Sequence, residues 1–167
     1  SQVLQLLPDR DPMAHKGDFG RILLLCGSRG YTGAAALSAM GALRSGAGLV
    51  YLAVPDCIYS IEAVKLTEPI VLPMPDLDGT FSPDAVNRLV ELLPRMDAVL
   101  VGPGLGQSEG TMAILTAVME QFQGPVVVDA DGINLLSRHK AILRRRNSPT
   151  VLTPHEGEFL RLDPDYH

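Results

Sequence analysis

Two carboxylates, Asp129 and Asp131, close an apolar run in the segment Val128-Asp129-Ala130-Asp131-Gly132-Ile133-Asn134. A carboxylate at the end of a buried strand is costly unless it is paired or opens onto a solvated cleft. Such a pair could bind magnesium, orient a sugar hydroxyl or act as a base. Asp131 is also expected to cap the helix that follows it. His155 lies in Leu152-Thr153-Pro154-His155-Glu156-Gly157-Glu158, where Thr153 and Glu156 have capping-box spacing. In a first helical turn its imidazole could donate to a substrate oxygen or phosphate; otherwise it is a surface residue. His155-Glu156 lacks the second His of HExxH, and no metal ligand set is assigned.

Two glycine-rich segments accompany these residues. Cys26-Gly27-Ser28-Arg29-Gly30-Tyr31-Thr32-Gly33-Ala34 follows an apolar run and opens a helix. Its glycines permit close backbone approach, and a helix N-terminus favours an anion. It is neither a Walker loop nor GxGxxG, because its glycines fall three apart and no Gly-Lys-Ser/Thr follows. Gly102-Pro103-Gly104-Leu105-Gly106 places glycines at alternate positions, which can leave backbone N–H groups lining a concave site. Each segment is equally readable alone as a tight turn. Further upstream, His15-Lys16-Gly17-Asp18-Phe19-Gly20 reads as a polar lid or a plain N-terminal connection.

The elements that must position these residues alternate. Strands are expected over Arg21–Cys26, Leu49–Val54, Ile70–Leu72, Ala98–Val101, Val126–Asp129 and Thr150–Leu152. Most are continuous apolar runs, the mark of parallel strands covered on both faces. Helices are expected over Gly33–Ser45, Cys57–Leu66, Pro83–Leu93 with Ser82 as cap, Thr111–Phe122 after Ser108, Gly132–Leu136, Lys140–Arg145 and Pro154–Leu162. The alternation predicts an α/β fold with a mostly parallel sheet and right-handed crossovers. Ligands of such sheets bind beyond the carboxyl ends of the strands, where the two glycine-rich segments and the Asp129 and His155 segments fall.

With 167 residues, 46% hydrophobic and 20% charged, the chain is sized for one domain with a core. A net charge of −5 argues against a general nucleic-acid binder. The cluster Arg138, His139, Lys140, Arg144, Arg145 and Arg146 reads as a solvated helix face and C-terminus. The uncharged stretch that includes Tyr31–Leu43, bounded by Arg29 and Arg44, is too short for a membrane span. Two cysteines, one inside a strand, suit a reducing, cytoplasmic setting. Asp56, after the second strand, falls where a ribose-binding carboxylate would sit in a dinucleotide oxidoreductase, although the absence of GxGxxG counts against that class.

The order HKGDFG, GSRGYTGAAALSAMGALRSGAGLV, VGPGLG, VVDADGINLL and LTPHEGEF resembles the ADP/ATP-dependent NAD(P)H-hydrate dehydratases, over about Met13 to Leu162. The resemblance implies a ribokinase-like, three-layer α/β/α fold, with residues 1–167 forming the N-terminal portion of a single family domain, incomplete at the C-terminus. It implies repair of hydrated NADH or NADPH (NADHX, NADPHX) with consumption of ADP or ATP and Mg2+. A phosphorylated hydroxyl leaves readily where hydroxide does not, and the ring nitrogen's lone pair expels it. Two anionic nucleotides must then be held together, which suits backbone cradles.

By matching position, the resemblance makes Ala34, Gly104 before Gly106, and His155 substrate contacts. Asp129, Asp131 and Asn134 match the family's DADG(I/L)N segment. It also implies a homo-oligomer whose partners are small-molecule nucleotides. Family members continue into a Lys-Gly turn and a Gly-Thr/Ser-Gly-Asp segment with the catalytic Asp, and neither occurs in this sequence. The expectation is therefore a shortened member with an open sheet edge, impaired in turnover. A related sugar or vitamin kinase and a non-catalytic nucleotide-binding fragment are the alternatives.

Overall fold

The structure is a computed structural model that describes residues 19–166. Of the HKGDFG segment only Phe19 and Gly20 are included, so the lid expected at His15–Asp18 lies outside the described residues.

Among the described residues, six parallel strands form the central sheet. They are β1 (Arg21–Leu25), β2 (Leu49–Pro55), β3 (Ile70–Met74), β6 (Ala98–Val101), β7 (Val126–Val128) and β8 (Thr150–Leu152), in the order β3-β2-β1-β6-β7-β8. A two-residue pair, β4 (Asp76–Leu77) and β5 (Thr80–Phe81), forms a separate hairpin. The helices are α1 (Thr32–Arg44), α2 (Asp56–Lys65), α3 (Ala85–Leu92), α4 (Glu109–Gln121), α5 (Asp131–Arg138), α6 (Lys140–Arg145) and α7 (Glu156–Leu162).

The chain winds outward from β1 to β3, then returns to β1's other side at β6. Right-handed crossovers in the two directions put their helices on opposite faces. Leu24 and Cys26 point toward α1 and α2, whereas Leu23 and Leu25 point into the larger core under α3 to α6. The result is the expected α/β/α layering.

Small residues let α1 lie close to the sheet. Ala35 and Ala39 are fully buried, and Ala36 and Met40 pack beside them. β3, which holds Pro73, lies at one edge of the sheet, where a missing N–H is tolerated. β8 lies at the other edge, in keeping with the expected open edge. Along the row Leu24–Leu100–Val127–Val151, cover thins from the centre outward, and Val151 is 55% exposed. No helix among the described residues is long and apolar enough to cross a membrane.

The starts of α3 and α7 differ from expectation for a physical reason. α3 begins at Ala85 because Ser82 closes a preceding turn, its carbonyl accepting from the Ala85 N–H at 3.0 Å. α7 is capped by His155 and Glu158, not by Thr153 and Glu156. Pro154 holds Thr153 extended, and the Thr153 hydroxyl donates to Asp129 Oδ1 at 2.8 Å.

Arg146 also departs from the solvated face assigned to its cluster. Its guanidinium donates to the Met119, Phe122 and Gly124 carbonyls and to Thr150 Oγ1, tying the end of α4 to β8. Burial lowers its pKa from the ordinary arginine value.

Glu62, on the inner side of α2, is fully buried and its Oε2 has no partner. Lys65 Nζ lies 3.4 Å from its Oε1 and also donates to Thr32 Oγ1 at 2.8 Å, joining α2 to the first turn of α1. Burial pushes the Glu62 carboxyl up, while Lys65 pulls it back. Because the folded state holds this proton more tightly, the group's contribution to stability is whole below the ordinary carboxylate range. It falls as pH rises through the raised value. Glu62→Gln is expected to remove that slope, so its urea midpoint gains on the wild type from acid toward neutral pH. A midpoint difference that does not change with pH would overturn this.

Candidate functional site

The strand order reverses between β1 and β6, which pair in register from Ile22 with Ala98 to Leu25 with Val101. The crevice beyond the carboxyl ends at such a switch point is the usual ligand position in open α/β sheets. Both glycine-rich segments leave the sheet there, residues 26–31 from β1 and residues 102–106 from β6.

The two loops are fastened to each other. The Gly27 N–H donates to the Pro103 carbonyl at 2.9 Å, and Ser28 Oγ donates to the Gly104 carbonyl at 2.8 Å. Gly104 rests directly on α1's start: a Cβ there would come within 2.8 Å of the Ala34 Cβ and 2.9 Å of the Tyr31 Cβ. Ala34 and Gly104, expected to share a ligand, are thus neighbours. Their contact also gives both residues a packing reason to be small. Open space lies instead beside Gly30 and Gly33, where an added Cβ would meet nothing within 4 Å. The backbone there is the part of the loop a ligand can approach, a distinction that glycine spacing alone does not reveal.

The β4–β5 hairpin roofs this corner. Its turn, Asp78-Gly79, has positive φ at both positions, as a two-residue hairpin requires. The Arg29 N–H donates to the Gly79 carbonyl at 2.8 Å, and Thr80 Oγ1 donates to Ser108 Oγ at 2.9 Å. Ser108 caps α4 through a box with Thr111, so hairpin, loop and helix start are one hydrogen-bonded unit.

The carboxylates have separate tasks. Asp131 does not cap α5 as expected, because its Oδ2 accepts the Gly106 N–H at 2.9 Å and its Oδ1 the Gln107 side-chain amide at 3.2 Å. It fixes the 102–106 loop. Asp129 Oδ1 accepts from Thr153, which links β7 to the segment entering α7. Asn134 Oδ1 accepts from Arg161 Nη1 at 2.6 Å, so it braces α5 against α7. Asp56 begins α2 beside the rim at the end of β2.

His155 stands on the same rim, with two-thirds of its side chain exposed. Its cap position gives the residue a structural role that the spacing of Thr153 and Glu156 had concealed. Cys26, the residue after β1, is fully buried, and burial pushes its thiol up to about 12, so it is no nucleophile. Among the described residues no three His, Cys, Asp or Glu side chains are grouped to hold a metal.

A family model described as NAD(P)H-hydrate dehydratase matches residues 22–167. A bifunctional NAD(P)H-hydrate repair enzyme from Moorella thermoacetica is 42% identical over 157 residues, which are 93% of this chain and 30% of that one. The same-named enzyme of Gloeobacter violaceus is 41% identical over 169 residues, 96% of this chain and 32% of that one. Among solved structures, a ribokinase-like superfamily protein from Enterococcus faecalis superposes with a TM-score of 0.80 at 28% identity, covering 93% of this chain and 52% of its own. An ADP/ATP-dependent NAD(P)H-hydrate dehydratase from Bacillus subtilis, co-crystallised with ATP and Mg2+, gives 0.72 at 29% identity, covering 95% and 52%. The chain thus spans about half the length of the solved relatives and about a third of the curated ones.

Proposed function

Since this chain belongs to the NAD(P)H-hydrate dehydratase family, we propose that its rim is the substrate side of a site that repairs hydrated NADH or NADPH at the expense of ADP or ATP. The observation that carries this is the pair of interlocked glycine loops at the β1–β6 switch point, with open backbone at Gly30 and Gly33.

In this reading the nucleotide lies across the crevice. Ala34 and Gly104 form its floor, and the backbone of residues 30–33 approaches its phosphates at the start of α1. His155 faces it from the β8 side, with Gly106, Asp129 and Asn134 holding the walls between. Mg2+ enters with the phosphates of ADP or ATP. The side chains present suit that role and not a protein-only cage, since Asp131 is spent on the loop and Asp129 is bonded to Thr153.

Elimination itself needs a group to remove the proton and a cradle for the transferred phosphoryl, and the sequence contains no Gly-Thr/Ser-Gly-Asp segment. The rim is accordingly read as the nucleotide-binding side of the site, and the measurements are made on these 167 residues. Two measurements test this. NADH fluorescence should report saturable binding to the purified chain. Hydrated NADH given ADP or ATP with magnesium should recover no NADH above the protein-free rate. Absence of NADH binding by a folded sample would remove the reading. Nucleotide-dependent recovery would place the elimination chemistry within these residues.

A further inference from the structure

Asp129 to Gly132 form a tight turn between β7 and α5, in which the Gly132 N–H donates to the Asp129 carbonyl at 2.9 Å. The first central residue of this turn is Ala130, with φ +48 and ψ −116. These are the angles of a type II′ turn, whose first central position has positive φ and is usually glycine. Among the described residues, Ala130 and Asp78 are the non-glycines with positive φ, and Asp78 sits in a hairpin turn that expects it. At Ala130 the side chain costs stability that a glycine would not.

The neighbours hold this residue in its conformation. The Asp129 N–H donates to the Val101 carbonyl at 3.1 Å, and the Asp129 carboxylate is bonded to Thr153. Asp131 is bonded through its two oxygens to Gly106 and Gln107. The Ala130 carbonyl accepts the Asn134 N–H at 3.1 Å. Each side of the turn is thus tied to a different part of the rim, and it cannot relax around its methyl group. A strained residue persists where its surroundings over-determine it, and such residues gather at functional sites.

Packing does not account for the methyl group. Ala130 is half-buried, and it belongs neither to the two apolar core clusters nor to the residues packed against them. Glycine would complete the same turn without strain. The Cβ is therefore kept for a contact that the folded chain alone does not make. It stands at the carboxyl end of β7, between β6, whose glycine loop Asp131 fixes, and β8, whose following segment Asp129 holds.

We infer that Ala130 is a nucleotide-contact residue: its methyl group packs against a ring face of the bound pyridine nucleotide, and the strained turn exists to present it. The inference rests on the reading that the rim binds NADH or NADPH. The contact is one of van der Waals packing, with no hydrogen bond and no proton transfer. Asp129 and Asp131 act through the turn, by holding Ala130 in a conformation it would otherwise leave.

Ala130→Gly tests the strain and the contact together. Relief of the positive φ should raise the urea midpoint by about 0.5–1 M with an unchanged slope. Loss of the methyl group should raise the Kd for NADH about three- to fivefold, the worth of one buried carbon. Stability and affinity then move in opposite directions, which a purely structural residue would not show. A midpoint that falls or stays the same overturns the strain, and a Kd that falls or stays the same overturns the contact. A chain labelled with 13C-methyl alanine separates a lost contact from a loosened turn. The Ala130 resonance, identified by its absence from the glycine variant, should show a nuclear Overhauser effect to the protons of bound NADH; a complex without one overturns the proposal. Failure of the underlying reading looks different. The wild-type chain would then bind no NADH and the contact would fall with it, while the midpoint shift of the glycine variant would stand.

Discussion

Gly102→Ala is expected to unfold the rim, lowering stability by about 3 kcal/mol or more. The residue has φ +132, a conformation that side chains rarely adopt, and its Cα faces the turn after β7. An added Cβ would overlap the Asp129 carbonyl oxygen and come within 2.9 Å of the Gly132 nitrogen. These atoms cannot yield separately, because the Gly132 N–H is bonded to that same carbonyl at 2.9 Å. Gly102 N–H in turn donates to the Leu25 carbonyl at 3.2 Å, so moving the loop would pull at β1. The measurement is the urea midpoint with an unchanged slope. Gly30→Ala is the control: its φ of +87 carries backbone strain, but the space beside it is open, so it should cost only about 1–2 kcal/mol. Equal losses at the two positions would show that conformation and not crowding governs the loop.

Arg146→Met is expected to cost about 2–4 kcal/mol, the second largest effect of a single change. Three carbonyls in the last turn of α4 and the segment after it, those of Met119, Phe122 and Gly124, accept from the one guanidinium at 3.0, 2.6 and 2.6 Å. Methionine fills the volume but leaves these acceptors without their donor and frees Thr150 on β8. Arg146→Lys should recover only part of the loss, because a single ammonium cannot reproduce a planar fork. Amide exchange would show where the damage lies: protection should fall first in α6 and β8. A loss below about 1 kcal/mol would mean that water satisfies these carbonyls as well as the arginine does.

Both residues show what a linear reading can and cannot reach. The six sheet strands and the bounds of α6 and β8 were legible, because apolar runs and their breaks are local signals. Gly102 was visible as part of a glycine segment, but its crowding comes from Asp129, which is near only in the fold. Arg146 sat in a basic cluster and looked solvated; nothing local says that three carbonyls from the end of α4 and the segment after it converge on it. The β4–β5 hairpin is a different kind of omission. Asp78-Gly79 is a recognised hairpin signal, but the flanking runs are two residues each, too short to read as strands. His155 takes the cap expected of Thr153, whose hydroxyl is bonded to Asp129 instead.

The candidate site was legible in the same uneven way. The segments converge on one rim because all of them follow parallel strands. The family resemblance, confirmed over residues 22–167, added the chemistry. What the sequence could not separate was glycine kept for packing, as at Gly104, from glycine beside open space, as at Gly30 and Gly33.

The place of β1 at the centre of the sheet has a consequence for biosynthesis. Its second neighbour, β6, begins with the turn at Asp97, whose carboxylate accepts the Arg21 N–H from 76 residues away. On a ribosome, that interval corresponds to roughly 4–15 seconds of elongation, during which β1 has only β2 beside it and one side of the nascent sheet stays unpaired. The stretch most exposed to misassociation is therefore Leu23–Leu25, the very strand end from which the first glycine loop springs, and it is sheltered only once Val99–Val101 has emerged to pair with it.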